Sequence, residues 1–498
     1  MFFDGGVFLG REPKSGLAAG PAQMIKNMDA WGADVALTSD FEAIFYDMYS
    51  GNDKTLATCS QFPQKLIPLA VINPLSYEPG GNYLADIARR GARGFLLLPF
   101  FQQWKLDQHI LRHLAERFSE IGLPVQIGIS NLTEFQQVVD IFGRTEMPVF
   151  IRWLRGAGYN AVSDEIAAAI RHKNFYFDIS NLVLLGGISY LAKKIGSERL
   201  YFASNSPLTS EASIYLLLDS ADLVDKDREN IYYKNLARIF GINNGPWSMQ
   251  GRPIAIHGEE LAREKIDIHW HSDSWNIIEP ARDIESAQKA FLQFGYRAVI
   301  SSSVLGLNYD LVRGNQETEA LVRKDGRVYG YVVVDPTQIE VSLAELKKYS
   351  GNRKFVGIKT IQDYYPVGLD DERYATILEW ANKRQLPILA HRLGLAAAAK
   401  KFPKVIFIAA HCDRERSEEF VDLPNVILDV SGSYAYRAET YLAGLVRAVG
   451  SERVIFASDG PLISPAWTIG KILDSCFTKE VAENIYWRNA ARIFKIKI

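Results

Sequence analysis

Four of the eight histidines in the chain, His269, His271, His391 and His411, lie in or just after strand-like runs of its second half. An aspartate, Asp459, follows a fourth such run. His269 and His271 stand one residue apart in KIDIHWHS, so on an extended strand both imidazoles point to the same face. With His391 and Asp459 they offer three nitrogens and one carboxylate oxygen. That set suits Zn²⁺ or another divalent transition metal and leaves room for a water. A metal so held lowers the pKa of a water and polarises a carbonyl, the two needs of hydrolysis. A lone His-x-His is also what a hydrogen-bonded structural pair looks like; the concentration of further histidines at strand ends is what favours a metal.

Such residues need elements that carry distant positions to one point. The second half contains eight apolar runs, near 265–270, 297–302, 328–334, 354–359, 386–391, 404–410, 425–431 and 453–458. Amphipathic helical patterns at 371–384, 434–449 and 480–494 lie between or after them. Short apolar strands alternating with helices imply a parallel sheet. Eight of them imply a (β/α)8 barrel, where side chains at the strand C-termini converge on one mouth. An open doubly wound sheet is the rival, but no GxGxxG or phosphate loop follows a first strand.

The plan occurs twice. SERLYFASNSPL (197–208) returns as SERVIFASDGPL (451–462), and ENIYYKNLARIF (229–240) as ENIYWRNAARIF (483–494), both 254 residues on. Earlier pairs, YDMYSGN (46–52) with YDLVRGN (309–315) among them, lie 263 apart. The chain therefore reads as two tandem (β/α)8 barrels, one over 1–245 and one over 265–498, joined by a linker at 246–264. First-half strands are expected near 2–8, 34–38, 66–72, 92–98, 123–129, 148–153, 174–180 and 199–204.

Composition removes several functional classes. A net charge of −2 gives no basic excess for nucleic acid or an anionic membrane. No apolar run reaches the ~18 residues of a membrane helix. Three scattered cysteines fit a reducing compartment, and MFFDGGVFLG, with no basic leader, reads as a buried strand. The expectation is a cytoplasmic protein with a small-molecule substrate.

IDIHWH (266–271), FVGIK (355–359), LPILAH (386–391), FIAAHCD (407–413), LDVSG (428–432) and FASDGP (456–461) together resemble the amidohydrolase superfamily. The similar branch holds aminocarboxymuconate semialdehyde decarboxylase and pyrone dicarboxylate lactonase. The resemblance implies one metal, usually zinc, on His269, His271, His391 and Asp459, with His411 as acid or base beside a metal-activated water. His411 is expected to titrate near neutrality, which suits proton transfer. It implies hydrolysis of an ester, lactone or amide in a small carboxylated or cyclic substrate, with Asp459 taking the water's proton. Non-oxidative decarboxylation on the same scaffold is the alternative; a binding or scaffold protein with a structural ion is the weaker one. In other branches a lysine at Lys359 is carbamylated and bridges two metals. Here Lys359 reads as a contact to a substrate carboxylate, or as a solvated strand-end lysine. Arg313, Tyr434, Tyr436 and Arg437 are further substrate-contact candidates, since arginine pairs with carboxylates. Asp429 and Ser431 read as packing residues because FDIS (177–180) preserves them in the first half.

That half keeps the packing motifs and loses the chemistry. Its counterparts are Gly6 for His269, Phe8 for His271, Leu96 for Lys359, Gly128 for His391 and Asn205 for Asp459. Residues 1–245 are therefore expected to form a non-catalytic barrel. Because members of the resembled branch often dimerise, the pair reads as an intramolecular pseudo-dimer.

Overall fold

The computed structural model describes all residues except 1, 108, 155–160, 243–253, 279, 366, 414, 433–437 and 498. The chain divides into two compact units, Met1–Ala255 and Ile256–Ser433 with Ala438–Ile498.

In the first unit, β1 (Phe3–Arg11), β2 (Val35–Asp40), β3 (Leu66–Val71), β4 (Gly94–Leu97), β5 (Val125–Ile129), β6 (Val149–Trp153), β7 (Phe175–Asp178) and β8 (Leu200–Tyr201) pair in sequence order, all parallel. A two-residue strand, Ala18–Ala19, adds antiparallel to β1. Backbone bonds from Gly5 N to Phe202 O (2.7 Å) and from Phe8 N to Ser206 O (2.8 Å) close the sheet on itself. Phe3, Phe8, Phe150 and Tyr201 lie in its buried core.

The second unit repeats the plan with β9 (Lys265–Ser272), β10 (Tyr296–Ser303), β11 (Val328–Val333), β12 (Phe355–Thr360), β13 (Ile388–Ala390), β14 (Phe407–Ala409), β15 (Val426–Asp429) and β16 (Val454–Ile455), again paired in order. Closure comes from His271 N to Gly460 O (2.7 Å) and Asp459 N to His269 O (2.9 Å). The chain forms the two tandem barrels expected of it.

A bulge in β9 sets up the site. The pairing with β10 slips between Asp267 and Trp270. An extra residue in one strand breaks the strict alternation of faces. Ile268 can therefore pack in the core with Ile266, Ile300 and Tyr331, while His269 and His271 turn to the mouth above it.

The repeated motifs are structural partners of one another. Asn235 donates to Ser197 O and Leu200 O, both at 2.8 Å; Asn489 donates to Ser451 O (2.7 Å) and Val454 O (2.8 Å). Asn230 and Asn484 reach the hydroxyls of Ser197 and Ser451 at 2.9 and 3.0 Å. Each ENIY segment makes one π-helical turn to do so. The repeats thus preserve a clamp on the last strand of each barrel.

The expected linker is partly helix. Residues 243–253 lie outside the described set, but Ile254–Ala262 is helical and leads directly into β9. Lys265, buried, donates its Nζ to the carbonyls of Glu260 (3.2 Å), Leu261 (2.9 Å) and Phe294 (3.1 Å). A cation on the last carbonyls stabilises a helix end; the Gly/Pro/Asn signal of 241–253 did not extend to this segment. Among the described residues no helix is long and apolar enough to cross a membrane.

Candidate metal centre

His269 and His271 end β9, and Asp459 follows β16 in a turn where its φ is 64°. Asp and Asn enter this left-handed region more readily than most residues. Oδ1 of Asp459 lies 3.2 Å from His271 Nε2 and 3.5 Å from His269 Nε2. One ligand atom from each of the three residues falls within 4.8 Å of the others, and all three residues are buried. Two imidazole nitrogens and a carboxylate oxygen converging at this range fit a divalent transition metal.

The imidazoles are aimed by their other nitrogens. His269 donates from Nδ1 to Asp429 Oδ2 at 2.6 Å, and His391 donates from Nδ1 to Asp363 Oδ2 at 2.6 Å. His271 Nδ1 lies 3.3 Å from Ser302 Oγ. A proton fixed on Nδ1 leaves Nε2 with its lone pair, and a carboxylate partner makes that nitrogen a stronger donor to a metal. Asp429 is therefore a correction to the packing role expected of it. It is 160 residues from His269 in sequence and meets it only because β9 and β15 belong to one barrel. Replacing Asp429 with asparagine removes the charge while keeping the shape. Metal affinity is expected to fall about 10–100-fold, measured by titration of the chelated protein.

His391 stands outside the tight trio. Its ring centroid is 5.1 Å from that of His411, which is itself 5.1 Å from that of His269. His411 thus sits between the trio and His391, with Ser431 Oγ at 3.0 Å from its Nδ1. Ser431 Oγ also lies 3.4 Å from His269 Nδ1, so this residue too belongs to the site.

Burial dominates the electrostatics. It pushes His411 down to about 4, against the opposing pull of Asp459. The near-neutral titration expected for this residue is thereby corrected: a desolvated imidazole stays uncharged well below neutrality. His269, His271 and His391 are lowered for the same reason. Burial alone would raise Asp459, but His269, His271 and His411 outweigh it and hold its carboxyl below the usual range. The centre is built from neutral imidazoles around an ionised carboxylate.

A family model described as amidohydrolase matches residues 35–242 and 284–496. The chain belongs to the amidohydrolase family. Both barrels carry the match, so the duplication is of an amidohydrolase unit. Among solved structures, a 2,6-dihydroxybenzoate decarboxylase from Rhizobium is similar at 16% identity over 47% of this chain and 98% of its own, with a TM-score of 0.38. A 5-carboxyvanillate decarboxylase from Sphingomonas paucimobilis shares 14% identity over 47% of this chain and 99% of its own, with a TM-score of 0.39. A Pseudomonas putida protein described as a 2-pyrone-4,6-dicarboxylic acid hydrolase shares 16% over 47% and 98%, with a TM-score of 0.39. No curated protein matches the sequence.

The remaining expected residues are distributed as follows in this amidohydrolase. Lys359, at the end of β12, is fully buried and donates from Nζ to His269 Nε2 at 2.7 Å. Burial pushes its ammonium down to about 8. It is a member of the cluster and not a solvated strand-end residue. Arg313 is exposed on the helix Leu311–Lys324, where its backbone N–H caps onto Asp310 at 3.0 Å. Tyr434, Tyr436 and Arg437 lie outside the described residues. Trp275 stacks edge-on over His271 with centroids 5.1 Å apart, a neighbour the strand pattern gave no sign of.

Proposed function

We propose that the second barrel is a metal-dependent hydrolase acting on an ester, lactone or amide in a small carboxylated or cyclic substrate. His269, His271 and Asp459 would hold the metal, with His391 as fourth donor. The bound ion supplies Lewis acidity and a water acidic enough to react near neutral pH. The observation that carries the reading is the carboxylate behind His269: Asp429 sets its tautomer so that Nε2 faces the cluster.

The chain's own residues then divide the work. Ser431 engages His411 Nδ1 and leaves Nε2 to exchange a proton. A neutral His411 can accept a proton from water and return it to a leaving group, which favours hydrolysis. Lys359, in the buried cluster, places positive charge where a substrate carboxylate would lie. The first barrel, with no histidine at the matching positions, is read as non-catalytic.

The test is a chelated and reconstituted enzyme assayed on a panel of lactones, esters, amides and aromatic carboxylic acids. Acid release from a lactone, ester or amide, lost on chelation and restored by Zn²⁺ or Mn²⁺, is the expected result. Carbon dioxide release from an aromatic acid would replace hydrolysis by non-oxidative decarboxylation. Two metals per chain would assign Lys359 as a carbamylated bridge, and a protein that binds none would end the enzyme reading.

A further inference from the structure

The equivalence of the two centres is written in the backbone as well as in the sequence. Asn205 N donates to Gly6 O at 3.0 Å, as Asp459 N donates to His269 O at 2.9 Å. Gly6 N and Ser204 N bind Asp4 Oδ1 at 3.0 and 2.9 Å, as His269 N and Ser458 N bind Asp267 Oδ1 at 3.0 and 3.1 Å. Ser180 N reaches Asp178 Oδ1 at 2.8 Å, as Ser431 N reaches Asp429 Oδ1 at 2.6 Å. Asn205 even shares the left-handed backbone of Asp459, with φ 59°.

Where the second barrel gathers its metal ligands, the first gathers around one side chain, Arg152. It is 1% exposed, in the strand run VFIRW. Its Nε donates to Asn205 Oδ1, its Nη1 to Gln126 Oε1 at 3.1 Å and its Nη2 to Gly6 O at 3.1 Å. Its guanidinium carbon lies 4.8 Å over the ring of Phe8. Gly6, Phe8 and Asn205 are the counterparts of His269, His271 and Asp459. Strand register places Arg152 where the second barrel has Ala410, because Ile127 pairs with Ile151 as Ala390 pairs with Ala409.

Space and charge both close. A β-carbon on Gly6 would stand 2.4–2.6 Å from the guanidinium atoms, so a histidine there and Arg152 exclude each other. At the position of His269 the first barrel has Gly6 and carries its large side chain, Arg152, on β6; the second has His269 there and Ala410 on the matching strand. Of the two acids of the second centre, Asp459 lies with the imidazole Nε2 atoms and Asp429 binds His269 Nδ1. In the first centre Asn205 is neutral where Asp459 is an acid, and the guanidinium of Arg152 acts on the buried carboxyls of Asp4 and Asp178. Burial raises Asp178 to about 7 even against the opposing pull of Ser180 and Arg152.

We propose that Arg152 is the resident cation of the first barrel, a guanidinium built into the chain in the place its twin gives to a metal, which closes that centre to divalent ions. The proposal rests on reading the second cluster as a metal site. It assigns the first centre a ligand class, planar guanidinium cations, which an arginine-less variant would accept from solution.

The full-length protein tests it. Arg152→Met keeps bulk but removes charge and donors, taking from Asn205 Oδ1 and Gln126 Oε1 the N–H groups they accept here and leaving Gly6 O with Asn205 N alone. The melting temperature is expected to fall by roughly 6–20 °C. Arg152→Ala should fall comparably and recover part of the loss in millimolar methylguanidinium, which leaves the wild type unmoved. A variant with His269, His271, His391, His411 and Asp459 all replaced by alanine, its first barrel intact, should hold no Zn²⁺ above background. A wild-type melting temperature for Arg152→Met, or tight Zn²⁺ in the variant stripped of the second-barrel ligands, overturns the proposal. If neither arginine variant folds, the metal count still decides. A wild-type chain that binds no metal removes the reading of the second barrel, while the melting results continue to report on Arg152.

Discussion

Replacing Asp459 with asparagine is expected to leave the second barrel folded and to strip it of metal. The substitution is gentle on the backbone. Asp459 adopts φ 64°, and Asn205 occupies the same turn of the first barrel at φ 59°, with the same hydrogen bond to the first strand. It is severe on the site. Asp459 is the one carboxylate lying between the two imidazoles of β9, within 3.2 and 3.5 Å of their Nε2 atoms. Its carboxyl is held below the usual carboxylate range, so its negative charge is available to a cation near neutral pH. An amide oxygen offers the same shape and no charge. Metal affinity should fall at least ~100-fold, more than for a residue that only orients a ligand, and turnover should fall with it. Metal analysis after gel filtration checks the first part and circular dichroism checks the fold. A variant that retains its metal at wild-type affinity would show that Asp459 is not a ligand.

The histidines and the barrels were legible for the same reason. Eight apolar runs of strand length leave a parallel barrel as the economical solution, and strand C-termini must then share a mouth. What stayed hidden depends on which strands become neighbours and on burial. Asp429 reads as packing because its partner lies on β9, across the closed barrel. The depressed pKa of His411 follows from desolvation, which no motif encodes. Arg152 did leave a signal. An arginine inside the apolar run VFIRW must find partners if the strand is buried, and the counterparts of His269 and His391 are glycines, Gly6 and Gly128. Volume missing from one set of aligned positions should be sought at another. On the proposals above, the contrast of FASNSP and FASDGP follows: the asparagine is matched to a guanidinium, the aspartate to a divalent ion.

Substituting His411 with asparagine should separate chemistry from metal binding. His411 adopts φ 57°, a backbone that asparagine tolerates better than most residues, so the main chain need not move. The asparagine amide can still meet Ser431, the partner of His411 Nδ1 at 3.0 Å. What it cannot do is carry a proton. If His411 exchanges a proton with water or a leaving group, turnover should fall about 10²–10⁴-fold, the usual contribution of a positioned acid or base. Metal content and substrate affinity should stay near wild type, because His269, His271 and Asp459 keep their positions and His269 keeps Asp429. The informative measurement is the rate against pH for both proteins. A limb of the profile that vanishes with His411 identifies it as the titrating group. Unchanged turnover would instead transfer the proton-carrying role to Asp459, whose oxygen already lies among the imidazoles.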